Sequence, residues 1–116
     1  MNIQIFGKNK CFNTKKAERF FKERKIAFQY IDMSEKGMSR GEMERVSKAV
    51  GGLDNLIDTN AKDQDKLMLL KYVKQENKFD MLMENQQLIR TPIVRNSNKV
   101  TVGYDVDTWK KWEAEV

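Results

Sequence analysis

Apolar residues in this chain change their spacing twice, and the order of the changes restricts the fold more than any single motif does. Residues 2–6, with Ile3, Ile5 and Phe6, read as a strand. From Asn13 to Lys25 the apolar Ala17, Phe20 and Phe21 fall at i, i+3 and i+4, one buried stripe on a basic helix. Residues 26–31 then read as a second strand, and Asp32 to Gly37 turns the chain. A strand-helix-strand opening of this kind favours a right-handed parallel pair.

The middle of the chain is helical throughout. Ser39 and Glu42 make a capping box, and the helix it opens carries Met43, Val46, Ala49 and Val50 on one side. Gly51-Gly52 stops that helix, and residues 53–57 are ambiguous. A further helix runs from about Asp63 to Gln75, with Lys66, Leu69, Leu70 and Val73 on one face and Leu67 and Met68 widening it. A short one covers about Phe79 to Asn85. Past it the period returns to two: residues 91–95 and 99–103 are strands joined by the hairpin turn Asn96-Ser97-Asn98. Asp105 caps a closing helix with the stripe Val106, Trp109, Trp112 and Val116. The fold class expected is α/β: a mixed four-stranded sheet with flanking helices and an all-helical insert at about 38–88.

Composition narrows the chemistry. At 116 residues the chain fits one domain, 1–116. It has no apolar run of membrane-spanning length and no signal-peptide pattern, which fits the cytoplasm. It contains no histidine and a single cysteine, Cys11, so a zinc site, an internal disulfide and a thiol–imidazole couple are not expected. Met33, Met38, Met43, Met68, Met81 and Met83 read as adaptable packing rather than metal ligands. The net charge of +5 is concentrated between Lys8 and Lys25, where eight cations face only Glu18 and Glu23. That patch lacks interleaved aromatic residues, so direct nucleic-acid binding is not expected and attraction of small anionic thiols is.

Cys11 sits where the first strand hands over to the basic helix. A helix N-terminus presents unpaired N–H groups and partial positive charge, which favour thiolate over thiol. Lys8, Lys10, Lys15 and Lys16 add charge nearby, and Thr14 is placed to hydrogen-bond the sulfur. Placement alone leaves two readings of Cys11 open, an activated nucleophile and a small buried hydrophobe.

Cys11 followed by Asn13-Thr14-Lys15-Lys16-Ala17, the helical insert, and Leu88-Ile89-Arg90-Thr91-Pro92-Ile93-Val94 with Val102-Gly103-Tyr104 and Trp109 together carry a resemblance. Over nearly its whole length the chain resembles the arsenate reductase-like branch of the thioredoxin superfamily. That branch includes glutaredoxin-dependent arsenate reductases, Spx-type transcriptional regulators and a glutaredoxin-like group. The resemblance implies a bacterial, thioredoxin-like protein with Cys11 as nucleophile and Lys8, Lys10, Lys15 and Thr14 stabilising its thiolate. It implies a cis Pro92 beside the sulfur, with Arg90, Thr91 and Pro92 receiving a thiol substrate.

The leading function it implies is a monomeric monothiol oxidoreductase. Glutathione or another low-molecular-weight thiol would be co-substrate, an oxidised thiol the substrate and glutaredoxin a partner. An alternative is a Spx-like regulator that binds the RNA polymerase alpha subunit without turnover. Thr14 stands where those regulators have a second cysteine, so a CxxC switch is not available here. Arsenate reduction is the third reading. Thr91 stands where arsenate reductases place an oxyanion-binding arginine, with Arg90 one residue early, and two further arginines align near Asp58 and Tyr104. A carboxylate in place of a guanidinium repels arsenate.

Overall fold

The computed structural model describes residues 1–116. Four strands form one mixed sheet: β1 (Ile3–Gly7), β2 (Phe28–Asp32), β3 (Ile93–Asn96) and β4 (Lys99–Val102), in the order β2-β1-β3-β4. β1 pairs parallel with β2 and antiparallel with β3, and β3 pairs antiparallel with β4. The helices are α1 (Phe12–Glu23), α2 (Arg40–Ala49), α3 (Gln64–Tyr72), α4 (Gln75–Glu84) and α5 (Val106–Ala114). Short 3-10 turns occupy Leu53–Leu56 and Gln86–Leu88. No helix is long and apolar enough to cross a membrane.

Strand alternation sorts the core into two faces. Ile3, Ile5 and Val94 point to one side, where they meet Ala17, Phe20 and Phe21 of α1 and Trp109 and Trp112 of α5. Phe6 and Ile93 point to the other, onto Met43 and Val46 of α2, Leu70 of α3 and Leu82 of α4. Three of these rings, Phe20, Phe21 and Trp109, touch edge to face or tilted, with Trp109 5.5 Å from both phenylalanines. The Trp109 indole N–H donates to the Thr101 hydroxyl at 2.9 Å, which satisfies its one buried polar group.

Local rules explain most boundaries. The capping box at α2 forms in both directions: Ser39 Oγ accepts from the Glu42 N–H, and the Glu42 carboxylate accepts from the Ser39 N–H. Asp63 and Asp105 cap α3 and α5 without that return bond, their carboxylates accepting from the N–H groups of Lys66 and Thr108.

Several expectations need correction. The helix expected from Asp63 to Gln75 ends at Tyr72, because Val73 and Lys74 take extended backbone angles, and α4 begins at Gln75 rather than near Phe79. The buried side of α3 is Leu67 and Leu70; Lys66, Met68 and Leu69 face solvent. Ala49 is exposed, and Val116 lies beyond the end of α5, 83% exposed. The hairpin loop holds two residues, not three, since Asn96 pairs with Lys99 and Ser97 carries the positive φ.

Candidate active site

β1 ends at Gly7, and a three-residue loop leads to Cys11, the N-cap residue of α1. The loop is tied down from both sides. The Cys11 N–H donates to the Lys8 carbonyl at 2.9 Å, the Tyr30 hydroxyl donates to Asn9 Oδ1 at 3.0 Å, and Asn9 Nδ2 donates to Asp32 at 3.1 Å. Burial and the charges of Asp32, Glu18 and Cys11 push the Tyr30 phenol up to about 12, so it remains a donor to Asn9. Ser34, through its hydroxyl and its backbone, holds the Asp32 carboxyl below the usual range, and Asn9 adds to that.

Thr14 lies one turn into α1, only 1% exposed, against the end of β1. A side chain at Gly7 would overlap the Thr14 side chain, and it is the missing Cβ that lets helix and strand approach. The Thr14 hydroxyl accepts from the Lys8 N–H at 3.4 Å, leaving its own proton free for the Cys11 sulfur. Across the cleft the Cys11 thiol donates to the Thr91 carbonyl at 3.5 Å. That contact belongs to the protonated form, because a thiolate has no proton to donate. In the ionised form the Thr91 hydroxyl is the group that favours the charge.

Burial pushes the Cys11 thiol up, but opposing hydrogen bonds outweigh it. The Thr14 and Thr91 hydroxyls and the N–H groups of Thr14 and Asn13 bring it below its ordinary value. The sulfur closes no full cap hydrogen bond in the thiol state. The two amides still direct the positive ends of their dipoles at it, adding to the larger effect of the two threonine hydroxyls. Lowering therefore comes chiefly from hydrogen bonds and not, as the sequence suggests, from a cluster of lysines.

The lysines separate. Lys8 is half-buried, donates from Nζ to the Gln87 carbonyl at 3.1 Å, and feels the charges of both Asp58 and Cys11. Burial lowers its affinity for a proton, and those two charges partly restore it. Lys10 lines the cleft beside the sulfur. Lys15 is exposed and lies outside the cleft, and Lys16 lies over the rings of Phe12 and Tyr104.

The cleft is open, about 860 Å³, with Cys11 and Thr91 at one end and insert residues Asp58, Asp63, Glu84 and Gln87 facing them. Pro92 is buried, and the Thr91–Pro92 peptide is cis. Arg90, expected beside the substrate thiol, is not brought to Cys11. Its N–H donates to the Leu56 carbonyl, and its guanidinium lies against Gly103 in a separate shallow site. Arg90 lies ahead of β3, and the bond from its N–H to the Leu56 carbonyl holds it beside the Leu53–Leu56 turn, away from the cleft that Thr91 lines. Arg95 lies farther along β3, donating to Gln4, and is equally remote from the cleft. Tyr104 stacks edge-on against Trp109 and takes no part in the cleft. Asp58, by contrast, faces the sulfur side of the cleft with its charge on Lys8. Gly7 is the site residue that sequence reasoning missed; a glycine closing a strand just before a candidate nucleophile was the available signal.

Comparison with known proteins agrees with this fold. The ArsC family model matches residues 6–112. Global transcriptional regulator Spx 2 of Oceanobacillus iheyensis is 27% identical over 109 residues, covering 92% of this chain and 80% of the relative. The Spx regulator of Staphylococcus aureus strain Mu50 is 21% identical over 112 residues, covering 95% and 86%. Among solved structures, an arsenate reductase from Vibrio cholerae superposes with a TM-score of 0.81 at 20% identity, covering 96% of this chain and 97% of that one. These structural likenesses establish a shared fold: the mixed sheet, the helical insert and the thioredoxin-like layout.

Proposed function

The chain belongs to the ArsC family, and from that membership we propose that it is a monothiol thiol–disulfide oxidoreductase acting through Cys11. The observation that carries this reading is the Cys11 sulfur, favoured as thiolate by Thr14 and Thr91 and facing an open cleft. In the reaction the Cys11 thiolate attacks one sulfur of a disulfide. A Cys11–sulfur bond forms, the substrate S–S bond breaks, and the second thiolate leaves. A low-molecular-weight thiol such as glutathione then attacks the mixed disulfide, regenerating the Cys11 thiolate and leaving as the new disulfide. Lys8, close enough to feel the sulfur's charge and with its proton loosened by burial, is suited to protonate the leaving thiolate. Turnover of hydroxyethyl disulfide with glutathione, together with mass detection of a Cys11–glutathione adduct, tests the proposal. Activity that survives Cys11→Ser would refute it.

Arsenate fits the cleft poorly. Asp58 faces the sulfur side, and neither Arg90 nor Arg95 reaches it, so no bidentate guanidinium is available for an oxyanion. Arsenate turnover coupled to glutathione and glutaredoxin is expected to be at background.

A second reading is supported by relatives that carry the name of transcriptional regulators. On that reading the chain binds RNA polymerase through its surface and Cys11 is dispensable. Pull-down with the polymerase alpha subunit, undiminished in Cys11→Ser and without disulfide turnover, would favour regulation over catalysis.

A further inference from the structure

Helix α3 is apolar on two opposite sides, and only one of them is covered. Successive helical residues turn by about 100°, so Leu67 and Leu70 reach the core while Met68 and Tyr72 emerge on the far side with Leu69 at its margin. These three are 55%, 75% and 56% exposed respectively. Beside the stripe runs a half-open groove of about 460 Å³ between α3, α4 and the turn at Leu53–Leu56. Ile57, Leu67 and Leu70 line its depth, and Met68 and Lys71 form its lip. It shares no lining residue with the Cys11 cleft.

The charges around the stripe indicate what would cover it. Lys66 and Lys71 border its two sides and Lys74 closes its C-terminal end, and none of the three makes an ion pair. Asp65 also emerges on the outward side, outnumbered three to one by those lysines. We propose that this face of α3 with its adjoining groove docks an acidic amphipathic helix of a partner protein. The partner's apolar side chains would lie on Met68, Leu69 and Tyr72 and one would enter the groove, while its carboxylates meet the free lysines. A groove for a side-chain anchor, an apolar stripe and a charged rim are the parts that helix-in-groove recognition uses. A second copy of this chain fits less well, because its own stripe carries the same lysines and like charges would face each other.

The test uses two synthetic amphipathic peptides with the same leucine stripe, one rimmed by glutamates and one by lysines. Binding to the full chain is followed by fluorescence anisotropy and by amide NMR shifts. The glutamate peptide is expected to bind at least ~10-fold tighter than the lysine peptide, weaken with salt, and shift Met68, Leu69 and Tyr72. Leu69→Ser with Tyr72→Ser alters exposed positions only, so it should melt like the parent and lose at least ~10-fold in affinity. Cys11→Ser should bind as the parent does, which separates this surface from the thiol chemistry. Equal binding of both peptides, no binding of either, or binding undiminished in the double variant would overturn the proposal. So would stripe-dependent dimerisation in sedimentation, or stripe-dependent capture by phosphatidylglycerol vesicles, since each assigns the face to a different occupant.

Discussion

The two sides of the sheet are packed from different materials. Under α1 and α5 the filling is Phe20, Phe21, Trp109 and Trp112, rings with few rotamers, the first three in mutual contact. Under the insert it is Met33, Met38, Met43, Leu56, Leu70, Leu82 and Leu88, flexible side chains that fill irregular gaps. The stiff side carries the helix whose first turn holds Cys11 and Thr14, while the adaptable side supplies the opposite wall of the cleft, with Asp58, Asp63 and Glu84. On the proposed function, reactivity belongs to the aromatic side and substrate fit to the insert.

The severest way to break that division is Trp109→Ala. It removes the ring that both α1 phenylalanines touch and leaves the Thr101 hydroxyl without its partner, at a cost of about 3–5 kcal/mol. Urea unfolding should show the loss in the midpoint with an unchanged slope. On the insert side Met43→Leu, a volume-conserving swap in a fully buried place, should cost under about 1.5 kcal/mol.

A sharper comparison comes from the thiol itself. Phe21→Leu should loosen the seat of α1 and raise the pH midpoint of Cys11 alkylation, whereas Leu82→Met across the sheet should leave that midpoint in place. Equal movement in both variants would mean that the two sides act as one body. Thr14→Val removes one hydroxyl at nearly constant volume. The alkylation midpoint should rise, and stability should fall by about 1 kcal/mol as the Lys8 N–H loses its acceptor.

The smallest effect is a pH dependence with a definite sign. The folded thiol ionises below its unfolded value, so its contribution to stability is complete above the unfolded value and is lost as pH falls through the folded one. Between the two, the unfolded chain binds more protons and stability rises with pH. Cys11→Ser should flatten that slope in urea titrations across the alkaline range.

Where local chemistry is strong, the sequence is legible. The Ser39–Glu42 box, the Asp105 cap, the aromatic stripe of α1 and α5, the parallel opening pair and the closing hairpin all follow from residue type and spacing. The break at Val73-Lys74 has no glycine or proline to announce it. Leu70 and Leu82 must enter the same core from two directions, and tertiary packing overrides local helical preference there. The same break makes the outward stripe of α3 look like a core stripe in one dimension. At the site, Cys11, Thr14, Lys8, Lys10 and Thr91 do converge, and the peptide from Thr91 to Pro92 is cis. Lys15 and Arg90 do not, because nearness along a chain says nothing about which way a side chain leaves it.

Gly7 has a consequence for how this chain tolerates change. It bears no functional group and touches no substrate, yet a single methyl placed there would land on Thr14, whose hydroxyl helps set the acidity of the sulfur. In a saturation survey scored by activity, position 7 should therefore behave like a member of the reaction centre, rejecting alanine about as firmly as position 11 rejects serine. Scored by foldedness it should lose ground as well, because the methyl also pushes α1 away from the end of β1. An empty space the size of one carbon atom is here as much a part of the site as the thiol beside it.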